Sequence, residues 1–133
     1  EKRNIHLQEK YKTIQEKEVR FEEITCEDAE YLIVAFGSCA RIALKAVEGA
    51  RSEGIKVGLL RPITLWPFPN KTIAERAKRV KGILVVELNA GQMVEDVKLA
   101  VECKIPVEHF GRLGGIVPDP DEVIAALKEK IVK

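Results

Sequence analysis

The segment from Gly37 to Arg41 follows an apolar run and combines a small turn with a hydroxyl, a thiol and a guanidinium group. Free backbone N–H groups at the start of a helix attract anions, and Ser38 and Arg41 would add to such a site. The same helix dipole would favour the thiolate of Cys39, which is the setting of a reactive cysteine. We prefer the simpler interpretation, in which Ser38 is an N-cap and Cys39 is a small packed residue.

Two further loops follow apolar runs. Residues 61–69 contain three prolines and the only tryptophan, Trp66. Proline fixes φ, so this is a rigid aromatic loop that suits either closure of the core or a protein interface. Residues 111–115 are rich in glycine, and we expect Arg112 and Gly114 to admit an anion or a close backbone approach there.

A third loop, directly after another apolar run, places a carboxylate beside two amides. We expect Asn89 to cap the helix that follows, with Gln92 as its capping-box partner. Glu87 then remains at the end of its strand. We expect it to pair with Arg61 or Arg112 from a neighbouring strand.

The cysteines and histidines indicate no metal site. Cys26, Cys39 and Cys103 are widely spaced, and their odd number fits a reducing compartment. His6 and His109 have no companion ligand at a suitable spacing, so we expect both to be structural. The chain also contains no hydrolase, metalloprotease or phosphate-binding motif.

Composition narrows the class of protein. The chain has 133 residues, 46% hydrophobic and 32% charged, which is typical of one compact soluble domain. A net charge of +1 is too small for a phosphate-binding basic face, and no apolar run approaches the ~20 residues of a membrane span. We expect a cytoplasmic protein without nucleic-acid or membrane partners. Its excess of Lys and Glu over Asn and Gln is typical of thermophiles.

Alternating patterns predict the elements that position these loops. Apolar strands are predicted at residues 31–36, 55–60, 83–87 and 105–110, each followed by a helical pattern. Repeated strand–helix units of this kind favour a mostly parallel sheet with helices on both faces, a three-layer α/β/α fold. Residues 20–26 alternate in polarity and are predicted as an edge strand, and residues 61–69 are predicted to be irregular.

Helix ends carry their own signals. Ser38 and Asn70 are predicted N-caps, and Gly54 and Gly82 are predicted to end the helices that begin there. The last helix has the strongest start, a capping box with proline at residues 119–122.

The N-terminal segment has a different character. Leu7, Tyr11 and Ile14 form a narrow apolar stripe on a charged helix. We therefore predict an N-terminal helix at residues 1–18 and a single α/β domain at residues 19–133.

Three runs carry a resemblance to a known family. Residues 28–38, residues 58–69 with Arg-Pro-x-Thr-Leu-Trp-Pro-Phe-Pro, and residues 87–93 with Glu-x-Asn-x-Gly-Gln occur in that order. Together they resemble the C-terminal part of the alpha subunit of 2-oxoacid:ferredoxin oxidoreductases, over nearly the whole chain. Because the chain begins at Glu1 and not at Met, we expect it to be a piece of a longer polypeptide.

The resemblance implies a fold and an enzyme. The fold is a transketolase C-terminal-like domain, a five-stranded sheet with one antiparallel edge strand. These enzymes decarboxylate a 2-oxoacid on thiamine diphosphate with Mg²⁺, pass electrons through iron–sulfur clusters to ferredoxin, and form an acyl-coenzyme A. The resemblance places thiamine diphosphate between a preceding alpha-subunit domain and the beta subunit, and the clusters elsewhere.

We therefore expect this chain to hold no catalytic, cofactor-binding or metal-binding residue and to be inactive in isolation. Its expected role is architectural, in contact with the other domains and the beta, gamma and delta subunits, and with ferredoxin only indirectly. The alternative is a regulatory domain that binds an anion or small molecule through Ser38, Arg41 and Arg112. The candidate interface or anion-contacting residues are Ser38, Arg41, Arg61, Trp66, Glu87, Asn89, Gln92, Arg112 and Gly114.

Overall fold

Five strands form one sheet in the computed structural model, which describes residues 1–133. The strands are β1 (Phe21–Ile24), β2 (Tyr31–Ala35), β3 (Val57–Pro62), β4 (Ile83–Glu87) and β5 (Val107–Gly111). Their order is β1-β3-β2-β4-β5, and only the β1–β3 pair is antiparallel. The predicted five-stranded, mostly parallel sheet with one antiparallel edge strand is confirmed.

Helices cover both faces of the sheet. They are α1 (Lys2–Lys17), α2 (Gly37–Ser52), α3 (Asn70–Ala77), α4 (Met93–Ala100) and α5 (Pro120–Leu127), and a π-helical turn follows at Lys128–Val132. The buried residues of α2 and α5 form one core with the sheet, and those of α3 and α4 form a second core on the opposite face. This arrangement confirms the three-layer α/β/α architecture.

The central strands are buried on both sides because their side chains are apolar on both sides. All five residues of β4 are buried, and in β2 only Tyr31 is partly exposed. β1 instead has two exposed glutamates between partly buried Phe21 and Ile24, and an edge strand tolerates such exposure. The sheet therefore gives the loops that follow its strands a rigid base.

Strand β3 has the predicted length of six residues but begins and ends two residues later than predicted, at Val57 and Pro62. Arg61 and Pro62, which were expected in an irregular loop, form its last two residues. They pair with Glu22 and Phe21 of β1 in antiparallel register. The partner strand thus extends β3 beyond the apolar run that marks it in the sequence.

Three predicted helix boundaries are wrong and two are confirmed. The N-cap of α2 is Phe36, two residues before the predicted Ser38, and the N-cap of α3 is Pro69, one residue before the predicted Asn70; neither makes a side-chain capping hydrogen bond. α3 ends at Ala77, well before Gly82. Gly54 does follow the end of α2, with φ +88°, and the capping box of Asp119 and Glu122 is present.

Helix α1 has no buried residue. Leu7 and Ile14 of its stripe are half-buried, while Tyr11 is exposed and packs edge-on against Trp66, with ring centroids 5.9 Å apart. The division of the chain at residue 18 stays a prediction.

Candidate functional site

The loops that follow the parallel strands meet at one edge of the sheet, because parallel strands end on the same side. We call this the carboxyl edge and define it as residues 36–41, 61–69, 87–92 and 111–118. All nine residues predicted from the sequence lie on it. Their role as a binding or interface site stays a prediction.

Glu87 is the best-organised polar side chain at this edge. It is the last residue of β4 and only 1% exposed. Its carboxylate accepts hydrogen bonds from the backbone N–H groups of Gln92 (3.2 Å), Met93 (2.8 Å) and Val94 (3.1 Å). These are the groups that the first turn of α4 leaves unpaired, so Glu87 caps the helix from the preceding strand.

The predicted capping box of Asn89 and Gln92 is therefore wrong. The Asn89 side chain instead bridges within its own loop: Oδ1 accepts from the backbone N–H of Gly91 at 2.7 Å, and Nδ2 donates to Glu87 at 3.2 Å. Gln92 occupies the N-cap position, without a side-chain cap. Glu87 takes over the capping because its carboxylate spans three donors, which stabilises a buried charge.

The predicted pairing of Glu87 with Arg61 or Arg112 is also wrong. Arg61 Nη1 donates to Glu22 Oε2 at 2.9 Å, across the β1–β3 pair. Arg112 forms an ion pair with Glu122, the residue that also completes the capping box of α5. Both guanidinium groups already have carboxylate partners.

These pairs weaken the anion-binding alternative. Of the three residues that it invoked, Arg112 is engaged by Glu122, while Ser38 and Arg41 lie exposed on the first turn of α2. An incoming anion would have to displace a carboxylate of the protein from Arg112. The alternative is not favoured.

The loops after β4 and β5 approach each other closely. A Cβ added to Gly111 would overlap the backbone oxygen of Asn89 and would lie 2.6 Å from Cε1 of His109. His109 Nε2 lies 3.9 Å from Glu87 Oε2 and is buried without a hydrogen-bond partner. The sequence offered His109 no companion carboxylate, and only the parallel pairing of β4 with β5 brings the two together.

Cys39 lies in the first turn of α2 but is not placed as a reactive thiol. It is buried, and burial, followed by the negative charge of Glu87, raises its pKa. Burial likewise raises the pKa of Cys26 to about 11. The preferred interpretation of Cys39 as a packed residue agrees with this geometry.

The ionisable side chains do not fit an iron–sulfur or magnesium site. An iron–sulfur cluster needs several thiolates together, whereas Cys26 and Cys39 lie in cores on opposite faces of the sheet and Cys103 is exposed. No group of three or more His, Cys, Asp or Glu side chains is placed to hold a metal ion.

Exposed apolar side chains are concentrated at the carboxyl edge. Ten large apolar residues of the chain are exposed, and seven of them belong to this edge: Ile63, Leu65, Trp66, Leu88, Leu113, Ile116 and Val117. The opposite edge, which we call the amino edge and define as residues 25–30, 53–56, 78–82 and 102–106, has none. Most of the exposed large apolar side chains of the chain therefore lie at the carboxyl edge.

The proline-rich loop both closes the core and exposes aromatic surface. Pro67 and Pro69 are buried, and Phe68 packs against the core of α3 and α4. Trp66 is 56% exposed. Thr64 fixes the loop, because its hydroxyl accepts from the backbone N–H of Arg20 at 3.0 Å and donates to the backbone oxygen of Pro67 at 2.8 Å.

Comparison with known proteins places the chain in a family. The model of the pyruvate:ferredoxin oxidoreductase core domain II matches residues 29–123. The chain belongs to this family. The resemblance to 2-oxoacid:ferredoxin oxidoreductases drawn from the motifs is thereby confirmed.

Relatives of known function agree. The chain is 47% identical to the ketoisovalerate oxidoreductase subunit VorB of Methanothermobacter marburgensis, over 95% of this chain and 36% of VorB. It is 37% identical to the 2-oxoglutarate synthase subunit KorA of the same organism, over 74% of this chain and 26% of KorA. The chain thus spans about a third of the length of such relatives, all subunits of oxidoreductases.

Solved structures share the fold. The 2-oxoglutarate:ferredoxin oxidoreductase of Magnetococcus marinus matches with a TM-score of 0.70 and 23% identity, over 84% of this chain and 19% of that one. A split-gene transketolase matches with a TM-score of 0.73 and 22% identity, over 85% of this chain and 41% of that one. The transketolase-like fold is confirmed.

Proposed function

We propose that this chain is a non-catalytic assembly domain of a 2-oxoacid:ferredoxin oxidoreductase. The whole enzyme would convert a 2-oxoacid into an acyl-coenzyme A and reduce ferredoxin. Thiamine diphosphate, Mg²⁺ and the iron–sulfur clusters would be held outside this chain. Family membership and the named activities of VorB and KorA support the reaction class.

The proposal also covers the location of the enzyme in the cell. None of the helices combines the length and the apolar character that crossing a bilayer requires. We assign the enzyme to the cytoplasm of a thermophile, on the composition of the chain and its reduced cysteines.

The apolar carboxyl edge is the observation that carries the assembly role. Leu88, Leu113, Ile116 and Val117 belong to adjacent loops, since residues 87 and 111 pair across β4 and β5. We call these four side chains the β4–β5 patch. Removing apolar surface from water contributes about 25 cal/mol per Å², so this patch gains free energy only when a partner covers it. We assign that partner to the other subunits of the enzyme.

Polar contacts beneath and beside the patch prepare it for such a partner. Glu87 fixes the start of α4, and the ion pair of Arg112 with Glu122 anchors the second loop to α5. A preorganised surface loses little conformational entropy on binding. The polar residues of the carboxyl edge thus hold in place the loops that carry the exposed apolar side chains.

Paired aspartate substitutions in the complete enzyme test this role. Leu113→Asp with Ile116→Asp places two charges in the β4–β5 patch, and we expect at least a tenfold loss of subunit association by gel filtration. Oxidoreductase activity should fall with the assembled fraction. The control is Leu99→Asp on α4, a leucine that is 77% exposed and lies outside the β4–β5 patch. Equal assembly of the two variants would refute the proposal.

A second test addresses the absence of catalysis in this domain. The purified 133-residue chain, supplied with thiamine diphosphate, Mg²⁺ and a 2-oxoacid, should release no carbon dioxide above background. Cofactor-dependent release by this chain alone would overturn the non-catalytic assignment.

A further inference from the structure

Helix α1 and the proline-rich loop together form a second surface, on which three exposed apolar side chains lie among polar ones. Tyr11 and Trp66 meet edge to face, and a groove of about 690 Å³ opens beside them, with Ile5 and Lys12 on its wall. Ile5, Tyr11 and Trp66 are each more than 40% exposed. We call these three side chains and the groove the α1–Trp66 surface.

The helix is under-packed for its length. It has 16 residues and none is buried. Helices of this length are marginal in water unless tertiary packing supports an apolar face. Trp66 supplies one such contact to Tyr11, and the exposed remainder of the surface is available for a further partner.

Trp66 is well suited to anchor that partner. Aromatic residues dominate the binding energy of interfaces, especially where they are held rigidly. The hydrogen bonds of Thr64 to Arg20 and Pro67 hold this loop in place beside Trp66. Binding of a partner to Trp66 therefore costs little further conformational entropy in this loop.

The relatives indicate which partner this is. The VorB alignment covers 126 of the 133 residues, so at most seven residues fall outside it and most of α1 falls inside. Helix α1 is thus a shared part of subunits of which this chain spans 36%. The other part of such a subunit is joined to α1 by the same polypeptide.

The size of the surface favours a tethered partner over a free one. A stable interface between separate proteins buries about 800 Å² and some 20 to 30 residues on each side, far more than three apolar side chains and a groove. A segment of the same polypeptide is present at an effective concentration of the order of millimolar, so a small surface suffices. We propose that the α1–Trp66 surface docks the part of its own subunit that lies outside this chain, an inference that rests on the proposed membership in a longer subunit.

Trypsin cleavage of the complete subunit tests the proposal, because α1 carries its own cleavage sites at Lys10, Lys12 and Lys17. Proteolysis reports how often a segment opens. We expect slow cleavage in the wild-type subunit and at least tenfold faster cleavage in the Tyr11→Ala, Trp66→Ala double variant. Tyr11→Phe preserves the aromatic contact and should behave as wild type, as should Leu99→Ala.

The alternative partners give different results. Protection that rises with protein concentration would indicate a second copy, and protection that appears only when other subunits are added would indicate one of those. Either outcome, or equally fast cleavage of wild type and double variant, overturns the proposal. Tyr11→Ala alone removes a side chain that is 41% exposed and packs on Trp66 outside the core, so an unfolded core cannot explain its effect. The test needs no assembly and no activity, so it is independent of the aspartate test of the β4–β5 patch.

Discussion

The amino edge and the carboxyl edge of the sheet differ in the contacts that their side chains make. At the amino edge, charged side chains pair with each other and with backbone oxygens. Arg51 donates to Asp28 (2.7 Å) and to the backbone oxygens of Thr25 and Val57, and Lys104 pairs with Glu102. At the carboxyl edge, Glu87 is buried against backbone N–H groups, and apolar side chains remain exposed.

The difference supports the proposal that the amino edge faces water in the assembled enzyme and that the carboxyl edge is covered. Exposed ion pairs contribute little to stability but keep their solvation, so an edge built from them gains little from being covered. Exposed apolar side chains gain free energy when covered. The amino edge is complete by itself, whereas the carboxyl edge gains from a partner.

Gly111→Ala should have the largest effect, a loss of about 3 kcal/mol in the free energy of unfolding, because a Cβ would overlap the backbone of the neighbouring loop. Gly114→Ala is the control. Gly114 has φ +66° but open space around it, so only backbone strain of about 1 kcal/mol is expected. Urea unfolding measures both. Equal losses would show that the loops after β4 and β5 are not tightly packed.

Glu87→Gln should follow, with a loss of about 2 kcal/mol, because an amide group would replace one of the oxygens that face the backbone donors of α4. Glu108→Gln, on the exposed side of β5, should change the free energy of unfolding by less than about 0.5 kcal/mol. Thermal or urea unfolding of the two variants measures both changes in the free energy of unfolding. If both are neutral, the carboxyl edge does not depend on the buried carboxylate.

Cys39 should react with a small alkylating reagent at least tenfold more slowly than Cys103 in the native protein. Cys39 is 4% exposed and its pKa is raised by burial and by Glu87, whereas Cys103 is exposed at the amino edge. Mass spectrometry of peptides after timed quenching gives both rates. A Cys39 rate equal to that of Cys103 would restore the reactive-thiol hypothesis.

The smallest effect concerns pH at the amino edge. The hydrogen bond from Arg51 holds the pKa of Asp28 below its usual value. The resulting stabilisation is present above the unfolded pKa of about 3.9 and is lost as pH falls through the lower folded value. The difference in the free energy of unfolding between wild type and Asp28→Asn should therefore shrink in that acidic range. In an Arg51→Met background the difference should vary much less with pH, because the largest cause of the lowered pKa is removed, and an undiminished variation would contradict the assignment.

Local signals were predicted in part, with Gly54 and the last capping box right and the caps at Ser38 and Asn70 wrong, and contacts between strands were not predicted. The capping box of Asp119 and Glu122 is complete within four residues, so its pattern suffices. The cap of α4 is supplied by Glu87 from the preceding strand, across a tight turn. A search for an N-cap residue in the loop before α4 therefore selects Asn89 and overlooks Glu87.

Ion pairs depend on register in the same way. Arg61 faces Glu22 because β1 and β3 pair antiparallel with those two residues opposite each other. The sequence marked both strands but not their alignment. The early end of α3 is similar, since the backbone N–H of Lys81 donates to the backbone oxygen of Glu30 and draws the chain into the amino edge.

Amide hydrogen exchange tests the central claim most directly, by comparing the free complete subunit with the assembled enzyme. The β4–β5 patch predicts slower exchange on assembly at residues 88–92 and 112–117, with residues 25–30, 53–56, 78–82 and 102–106 unchanged. Slower exchange at the amino edge, with the carboxyl edge unaffected, would contradict the account.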